Sequence, residues 1–507
     1  MPSLLGIDNG LTVTKAVIFD ADGTQLAVAR RRVPQSIPQA RHVERDMNGL
    51  WRATAEAIAE AIEGSGRPAG DIAAVAATAH GDGIYLLDGE RRPLGPAILS
   101  LDSRAGSVAD TWNAGPVAEA ALRLTGQMPH ASAPSALLAW IRAEQPERYR
   151  RIAHAFACKD WLRSCLTGTV GTDRTEASTS FTDVRSQDYS AEALQLYGLE
   201  ELGTALPPIG GSAEIAGQVT AEAAALTGLL AGTPVACGLH DVTASALGIG
   251  GHAEGVLAIV AGTYSINETV SRAPRTDPRW FCRNAIEPGR WNNMAISPAS
   301  AANYDWFLDT LCRSDQAAAE AMGGSVHALL AGEVDTALAQ PSTVLFHPYL
   351  FGSPHGPVAS AGFLGLRGWH GRGTLLRAVL EGIAFNHRVH VDALRDGFAV
   401  REARLTGGAS RNPALAQLFA DILAMPVIVT ATEEAAAWGA ALCAGAGVGL
   451  FASPQADPRD LARIGTSYRP DPARSAAYEE RYRLFCRAAD ALAPLWPEID
   501  RLAGPSL

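Results

Sequence analysis

The chain of 507 residues is longer than one hydrophobic core normally organises, so the sequence predicts two large domains. Its 47% hydrophobic and 19% charged residues are typical of a globular protein, and a formal net charge of −11 gives no electrostatic basis for binding nucleic acid or acidic lipid. The start MPSLLGIDNG lacks the features of a signal peptide, and no apolar stretch reaches the roughly 20 residues needed to cross a bilayer. We therefore expect a cytoplasmic protein with no nucleic-acid or membrane partner.

Short apolar strands alternate with helical patterns in the first half of the chain. Leu4 to Asp8 and Ala16 to Phe19 are apolar runs that each end in a turn, which predicts two strands. Apolar residues recur at helical spacing from Leu50 to Ile62, and Ile72 to Thr78 is a further strand that leads into His80. This alternation predicts an α/β domain.

A strand predicted over Pro234 to Gly238 delivers Asp241 to the start of a helix. The glycine-rich segment 248–255 follows, and glycines absorb large changes in backbone conformation. We therefore place an N-terminal domain at residues 1–247 and a hinge at residues 248–255.

The second half of the chain opens much as the first does. An apolar run from Val256 to Val260 is followed by a turn at Gly262 and Thr263 and by another predicted strand. This weak internal repeat predicts two related domains. We assign residues 256–450 to the C-terminal domain and residues 451–507 to helices that pack on it.

Several common functional motifs are missing from the sequence. It contains no G-x-x-x-x-G-K-[ST], no H-E-x-x-H, no G-x-S-x-G and no convincing G-x-G-x-x-G after a strand. Its seven scattered cysteines form no C-x-x-C pair, which argues against a disulfide framework and a zinc site. P-loop, zincin and α/β-hydrolase interpretations are therefore set aside.

The first predicted turn has residue types that suit a phosphate group. Its Gly10 and Thr12 expose backbone N–H and hydroxyl groups, Asp8 can hold Mg²⁺ through water, and Lys15 adds positive charge. An ordinary β-hairpin with an Asp-Asn-Gly turn explains the same residues. The segment alone does not decide between the two interpretations.

Asp241 is predicted where a strand ends and a helix begins, a position often used for function in α/β folds. A carboxylate there can accept a proton from a substrate hydroxyl group. The alternative is a helix N-cap, which aspartate favours for local reasons. The two roles are compatible.

A second glycine-rich turn follows a predicted strand near the end of the C-terminal domain. Gly407 and Gly408 permit close approach of the backbone to a ligand, although a plain strand-to-helix loop is an equally good interpretation. Further along, Glu433 to Ala441 reads as a helix of small residues. Tight helix packing is its simplest explanation, and a nucleotide beside it is the alternative.

The order of these segments resembles the FGGY carbohydrate kinase family from about Leu4 to Gly447. The segments that carry the resemblance are Asp8 to Lys15, Gly238 to Asp241, Gly262 with Thr263, Gly352 to Gly365, Gly382 to His387, and Thr406 to Gly408 with Asn412. The resemblance implies an α/β fold of two actin-like, ribonuclease H-like ATPase domains with a cleft between them. It also implies an ATP-dependent sugar kinase.

For the donor side, the resemblance implies a MgATP site that draws on both halves of the chain. Asp8 would organise Mg²⁺, and the turns at Thr12 and Thr263 would hold the transferring phosphoryl group. The other implied nucleotide-binding positions are Gly10, Lys15, Gly262, Gly407, Gly408 and Asn412.

For the acceptor side, the resemblance implies that Asp241 is the general base. The implied sugar contacts are His80, Gly81, Asp82, Asp102, Arg104 and Asp241 itself. Three further segments, Val43 to Met47, Gly95 to Ser100 and Glu147 to Tyr149, are similar to pentulose kinases, which implies a ketopentose such as L-xylulose as substrate. Xylulose, ribulose, erythritol and glycerol are alternatives, and a homodimer is one possible assembly.

Two functions of other classes compete with a kinase. A non-catalytic actin-like sensor of sugar or nucleotide would keep the fold and the glycine turns but would not need Asp241 as a base. A dinucleotide-dependent oxidoreductase would need a Rossmann fingerprint, which the sequence lacks. The kinase is therefore the preferred hypothesis.

Overall fold

The structure is a computed structural model that describes residues 2–356 and 358–503. Two predicted segments include residues outside this description. Pro357 falls within the Gly352 to Gly365 segment, and residues 504–507 end the predicted C-terminal helices.

The β-strands are numbered in chain order. They are β1 (Ser3–Asn9), β2 (Val13–Asp20), β3 (Gln25–Arg32), β4 (Glu44–Arg45), β5 (Ile72–Ala79), β6 (Tyr85–Leu87), β7 (Ala97–Ile98), β8 (His154–Phe156), β9 (Thr172–Asp173), β10 (Ile209–Gly210), β11 (Ile215–Gln218), β12 (Pro234–Ala236), β13 (Leu239–His240), β14 (Val256–Ala261), β15 (Ser265–Ser271), β16 (Phe281–Asn284), β17 (Trp291–Ser297), β18 (Leu345–His347), β19 (Gly362–Leu364), β20 (Glu402–Gly407), β21 (Val427–Thr430) and β22 (Gly465–Tyr468).

The α-helices are numbered in the same way. They are α1 (Met47–Ser65), α2 (Gly106–Asn113), α3 (Val117–Thr125), α4 (Pro134–Glu144), α5 (Pro146–Tyr149), α6 (Cys158–Thr167), α7 (Arg174–Ala177), α8 (Ala191–Leu196), α9 (Ala221–Thr227), α10 (Asp241–Gly248), α11 (Ala302–Leu311), α12 (Arg313–Ala321), α13 (Val326–Leu338), α14 (Arg372–Gly397), α15 (Pro413–Leu423), α16 (Ala435–Gly447), α17 (Pro472–Leu492) and α18 (Trp496–Asp500).

The chain divides into two compact units that are not continuous in sequence. Unit 1 comprises Met1–Glu254, Val270–Met294 and Thr432–Ile464. Unit 2 comprises Gly255–Thr269, Ala295–Ala431 and Gly465–Leu507. The hinge predicted at residues 248–255 stays a prediction.

The main sheet of unit 1 has the strand order β11-β12-β5-β1-β2-β3, and β13 also pairs with β5. Strands β1 and β2 are antiparallel, whereas β5 runs parallel to β1 and to β13. Buried aliphatic residues of β1, β2 and β5 pack against α1 and α6 in one core cluster. The strands and the helix predicted for this region are confirmed.

Unit 2 begins with the same arrangement of strands. Hairpin strands β14 and β15 are antiparallel, and β20 runs parallel to β14. Strands β21 and β22 extend the sheet in the order β15-β14-β20-β21-β22. The predicted repeat of a strand–turn–strand opening is therefore present in the structure.

The chain after residue 450 differs from the predicted run of helices. Residues 432–464 belong to unit 1, and Gly465–Tyr468 forms strand β22 before helices α17 and α18 begin. Strand β22 pairs antiparallel with β21. This pairing covers a strand edge that would otherwise expose its backbone N–H and C=O groups.

Helix α16 packs backbone against backbone on unit 1, which explains its small residues. A Cβ atom added at Gly6 of β1 would lie 2.0 Å from the carbonyl oxygen of Ala437, and one added at Gly439 would lie 2.0 Å from that of Ala244 in α10. Glycine is therefore required at both contacts. The prediction that tight packing explains this helix is confirmed.

Among residues 2–356 and 358–503, none of the helices is both long enough and apolar enough to span a membrane. All seven cysteines are free thiols, and five of them are buried. These findings agree with the absence of a disulfide framework in the sequence.

Candidate active site

Three strands of unit 1 end side by side, and polar residues follow each of them. In the parallel pairing of β1 with β5, Asp8 lies opposite Thr78. In the parallel pairing of β13 with β5, His240 lies opposite Ala79. Because carboxyl ends of neighbouring parallel strands meet at one sheet edge, Asp8, the turn after β5 and Asp241 are brought to the same edge.

The turn after β1 is fixed by hydrogen bonds to its backbone. The N–H of Gly10 donates to the carbonyl oxygen of Val13 at 2.9 Å, and the amide of Gln35 donates to that of Leu11 at 2.8 Å. The buried guanidinium of Arg45 donates to the same Leu11 oxygen. The turn that contains Gly10 and Thr12 is therefore held in one conformation.

Asp8 is part of a charge cluster at this turn. Its carboxylate lies 3.3 Å from Nζ of Lys15, which lies 2.8 Å from Oε2 of the buried Glu434. Burial raises the pKa of Asp8, and Lys15 opposes that rise. Burial works against the charge of Lys15, but Asp8 and Glu434 together raise its pKa. Lys15 is thus a fully charged group directly beside Asp8.

Asp8, as the partly exposed carboxylate of this cluster, suits a magnesium ion that would take its other ligands from water and substrate phosphates. The described residues contain no group of three or more His, Cys, Asp or Glu side chains arranged to hold a metal ion. Asp8 is 15% exposed and offers a single carboxylate. Mg²⁺ in phosphoryl-transfer sites is commonly held by one or two carboxylates together with water and substrate phosphates.

Asp241 is the first residue of helix α10, and the N-cap position belongs to His240. Asp241 is therefore not at the N-cap position considered for it, and the His240 side chain makes no capping hydrogen bond. The Asp241 side chain is 31% exposed, and its Oδ1 lies 3.4 Å from Nδ1 of the buried His240. An ionisable oxygen at the sheet edge remains accessible from solvent.

A buried network holds the backbone just before Asp241. The N–H of His240 donates to Oγ1 of Thr175 at 2.9 Å, and this hydroxyl donates to Oδ2 of Asp173 at 2.8 Å. Asp173 also lies 3.0 Å from Nζ of Lys159, and both side chains are fully buried. Burial raises the pKa of Asp173, but Lys159 and the hydrogen bonds lower it by more. Asp173 is therefore an ionised anchor for the start of α10.

The turn after β5 places Gly81 against the ring of His240. A Cβ atom at position 81 would lie 1.8 Å from Nε2 of that ring, so a larger residue would displace it. Burial lowers the pKa of His80 to about 3 and that of His240 to about 4. Both imidazoles are consequently neutral at pH 7, and His80 and Gly81 contribute shape rather than charge to this edge.

Asp82 is the charged member of the same turn. Its Oδ1 accepts a hydrogen bond from Nη2 of Arg283 at 2.9 Å, and Nε2 of His130 lies 3.9 Å away. Burial raises the pKa of Asp82, but Arg283 and His130 outweigh it, so the net shift is downwards. The carboxylate is 20% exposed and stays ionised. It is available to accept hydrogen bonds from a hydroxylated ligand.

Buried histidines make the stability of the protein depend on pH. His252 is buried outside this edge, and burial lowers its pKa to about 4 from the ordinary 6.5. The unfolded chain therefore binds more protons between these pH values, so stability is complete above pH 6.5 and falls towards pH 4 by up to about 3 kcal/mol for this group. We expect urea denaturation to show a shallower pH dependence for His252→Gln. The exposed control, His327→Gln, should keep the wild-type slope, and equal slopes in all three proteins would contradict the assignment.

Asp102 and Arg104 form a buried ion pair. Asp102 accepts from the N–H of Val43 at 2.6 Å and from Nε of Arg104 at 2.9 Å, and Nη2 of Arg104 lies 2.8 Å from Glu44. The guanidinium also lies over the ring of Trp140. These contacts occupy both carboxylate oxygens of Asp102. A role for this pair in sugar binding stays a prediction.

The predicted nucleotide-binding residues of unit 2 also meet at one sheet edge. Ala261 lies opposite Gly407 in the parallel pairing of β14 with β20. Gly407 has φ +89°, and a Cβ atom there would lie 2.6 Å from the carbonyl oxygen of Ala261. Gly262, the exposed Thr263 and Gly408 follow these strand ends directly. The two turns are thus adjacent.

Asn412 follows the Gly407–Gly408 turn as the N-cap of helix α15. Its Oδ1 accepts from the N–H groups of Ala414 at 2.9 Å and Leu415 at 3.4 Å. A cavity of about 410 Å³ lies beside the start of this helix, within the volume range of small-molecule sites. Its lining residues are Asp335, Leu338, Ala339, Ala414, Gln417 and Arg474. The sequence interpretation assigned none of these six to a site.

Two charged residues of the unit 1 site were also missed from the sequence. Glu434 was interpreted only as part of a helix of small residues, and Arg283 was not singled out. They pair with Lys15 and Asp82, which lie 419 and 201 residues away in the chain. A charged residue directly before a small-residue helix was the one available signal for Glu434.

Two sets of strand-end turns, each with backbone and polar groups suited to phosphate or hydroxyl ligands, define the class of protein as a two-domain α/β phosphotransferase. The N-terminal domain of the FGGY family of carbohydrate kinases matches residues 3–248, and the C-terminal domain of that family matches residues 257–448. The chain belongs to the FGGY family and is a carbohydrate kinase, which uses ATP as phosphate donor.

Relatives with known names cover nearly the whole chain. It is 33% identical to the L-xylulose/3-keto-L-gulonate kinase of Escherichia coli (strain K12), over 96% of this chain and 97% of that protein. It is 32% identical to the erythritol kinase of Brucella abortus (strain 2308), over 98% and 97%. The crystal structure of xylulose kinase from Rhodospirillum rubrum has a TM-score of 0.85 and 30% identity, over 97% and 99%. The predicted fold class is confirmed.

Proposed function

We propose that this kinase phosphorylates a hydroxyl group of a ketopentose such as L-xylulose, with Asp241 as general base. The observation that carries the proposal is the meeting of Asp8, the His80–Asp82 turn and Asp241 at one sheet edge of unit 1. A carboxylate that accepts the proton, a cation site and a polar sugar-binding turn are the parts that phosphoryl transfer to a sugar requires.

The residues of this edge have different roles in the proposed reaction. Asp241 accepts the proton of the sugar hydroxyl. The oxygen of that hydroxyl forms a bond to the γ-phosphorus of ATP, and the bond between this phosphorus and the oxygen that leaves with ADP breaks. Lys15 and the turn at Gly10 and Thr12 stabilise charge on the transferring phosphoryl group. Asp8 would hold Mg²⁺ through water, and the metal would neutralise charge on the phosphate oxygens.

The nucleotide is proposed to bind through residues of unit 2. Gly262, Thr263, Gly407 and Gly408 belong to adjacent turns at the ends of parallel strands, where backbone N–H groups suit phosphate. The cavity of about 410 Å³ beside α15, whose N-cap is Asn412, has room for the nucleoside.

The substrate class rests on the relatives and on the chemistry of the unit 1 edge. The named relatives act on L-xylulose, 3-keto-L-gulonate or erythritol, so ketoses and polyols are the compounds to compare. A ketopentose is our first choice, with xylulose, ribulose, erythritol and glycerol as alternatives. Membership of a kinase family favours catalysis over the sensor considered above. A homodimer and a cytoplasmic location stay predictions.

A substrate panel tests this proposal. Release of ADP from MgATP is measured with ketopentoses, ketohexoses, tetritols, pentitols and glycerol, and the Asp241→Asn variant serves as the blank. We expect one ketopentose to have the highest kcat/KM. A polyol that exceeds every ketose would overturn the substrate class and leave the kinase chemistry intact.

A further inference from the structure

Glu176 is a buried carboxyl group with no visible partner in unit 1. It lies on the short helix α7, three residues after Asp173, and the residue is 3% exposed. Neither carboxyl oxygen has a hydrogen-bond partner within the described parts of the chain. A buried acid in this state costs free energy unless another molecule supplies its hydrogen bonds.

Glu176 lines a small cavity that Asp82 also lines. The cavity has a volume of about 40 Å³, enough for about three water molecules or one hydroxyl-bearing end of a sugar. Its wall is mostly apolar, with Ile84, Phe156 and Phe181 among the lining residues. The shared wall connects Glu176 to the turn at which the sugar is proposed to bind.

The charge of the cavity restricts what can enter it. Asp82 and Glu176 are the acids of the wall, and the described residues that line the cavity include no Lys or Arg. The guanidinium nearest to Asp82, that of Arg283, is already paired with it at 2.9 Å. A ligand carboxylate would therefore meet two carboxyl groups and no Lys or Arg on the described wall of the cavity.

The surroundings of Glu176 favour the protonated form of its carboxyl group. Burial is the main cause that raises its pKa well above the ordinary value. Lys159 opposes the rise, while the charges of Asp160, Asp173 and Asp241 add to it. Asp241 is thus one of the charges that act on Glu176. A protonated carboxyl group both donates and accepts hydrogen bonds, as a sugar hydroxyl does.

We propose that Glu176 is a specificity-determining residue that hydrogen-bonds a hydroxyl group at the uncharged end of the substrate inside this cavity, and that the kinase thereby selects neutral ketoses and polyols over sugar acids. The inference rests on the proposed function and names the substrate class for the same site. The hydroxyl to be phosphorylated lies at Asp241, and the opposite end of the sugar fills the cavity.

The first test compares two substitutions at this position. Glu176→Gln keeps a neutral group that donates and accepts, so we expect KM for the sugar within about threefold of wild type. Glu176→Leu removes the hydrogen bonds, and we expect KM to rise about tenfold or more with a much smaller change in kcat. Glu192→Gln, on the exposed surface of α8, is the control for removal of a carboxylate.

The substrate used is the sugar that gives Asp241-dependent turnover, which separates the two proposals. If every sugar that is turned over is also turned over by Asp241→Asn, Asp241 is not the base. Asp241-dependent turnover with an unchanged KM in Glu176→Leu would overturn the role of Glu176 alone. In parallel, the sugar is compared in the wild-type enzyme with the acid that has a carboxylate at the end opposite the phosphorylated hydroxyl. Equal kcat/KM values for the two compounds would overturn the selection against carboxylates.

Infrared difference spectroscopy decides the case in which the leucine variant does not fold. Addition of the sugar to the wild-type protein is expected to shift the C=O stretch of a protonated carboxyl group. This band should be missing from the difference spectrum of Glu176→Gln and present in that of Glu192→Gln. A spectrum without any protonated-carboxyl band on sugar binding would contradict the proposal.

Discussion

Replacement of Asp241 by asparagine is expected to lower kcat for sugar phosphorylation by about 10²–10⁴-fold, the usual contribution of a general base. Asparagine preserves the size of the side chain at the start of α10 but cannot accept a proton. The network from Asp173 through Thr175 to the backbone of His240 is untouched. The dissociation constant for ATP and the melting temperature should therefore remain close to those of wild type.

The measurement combines ADP release with titration calorimetry of the nucleotide. Asp110→Asn, on an exposed position of helix α2, is the matched control because it removes an exposed carboxylate of the same unit that is assigned to no site. The control should retain full activity. Turnover of Asp241→Asn within about threefold of wild type would refute the assignment of the base.

Local sequence patterns were sufficient to predict the strand-end turns. The acidic or glycine-rich residues after β1, β5, β14, β20 and the strand predicted over Pro234 to Gly238 were singled out because each follows a short apolar run and precedes a turn or a helix. In the structure the last of these runs is two short strands, β12 and β13. Asp8, Asp241 and Gly407 lie at such strand ends in the structure. Within each unit, parallel pairing then brings the strand ends of that unit together, which follows from fold class alone once strands and helices alternate.

The partners of those residues could not be predicted in the same way. Lys15 with Glu434 and Asp82 with Arg283 are pairs between distant segments, and nothing in the local pattern of either segment specifies the other. The cavity at Glu176 depends on which side chains leave a space unfilled. Such a space is a result of packing and has no periodicity in the sequence.

The division of the chain into units shows the same limit. A boundary near residue 250 follows from glycine content. The match to the first family domain ends at residue 248, and the match to the second begins at residue 257. The return of residues 432–464 to unit 1 depends instead on the close approach of Gly439 to Ala244. A small-residue helix indicates that such a contact exists, but it does not indicate the surface that accepts it.

The buried ion pairs of Lys159 are expected to be the most sensitive stabilising contacts of unit 1. Its Nζ lies 2.6 Å from Oδ1 of Asp160 and 3.0 Å from Oδ1 of Asp173, and all three side chains are fully buried. Burial disfavours the charged amine, but the two carboxylates raise its pKa above the ordinary value. Lys159→Met leaves both carboxylates buried without a cation, so we expect a loss of about 3–5 kcal/mol in the free energy of unfolding.

Urea denaturation measures this loss, and Arg31→Met provides the control. Arg31 pairs with Glu56 and Glu60 on the protein surface, where solvent weakens ion pairs, so its removal should change stability by less than about 1 kcal/mol. Equal losses in the two variants would show that the Lys159 pairs contribute no more than surface ones. Because Asp173 also anchors the backbone before Asp241, the folded fraction of Lys159→Met should have a reduced kcat, whereas Arg31→Met should not.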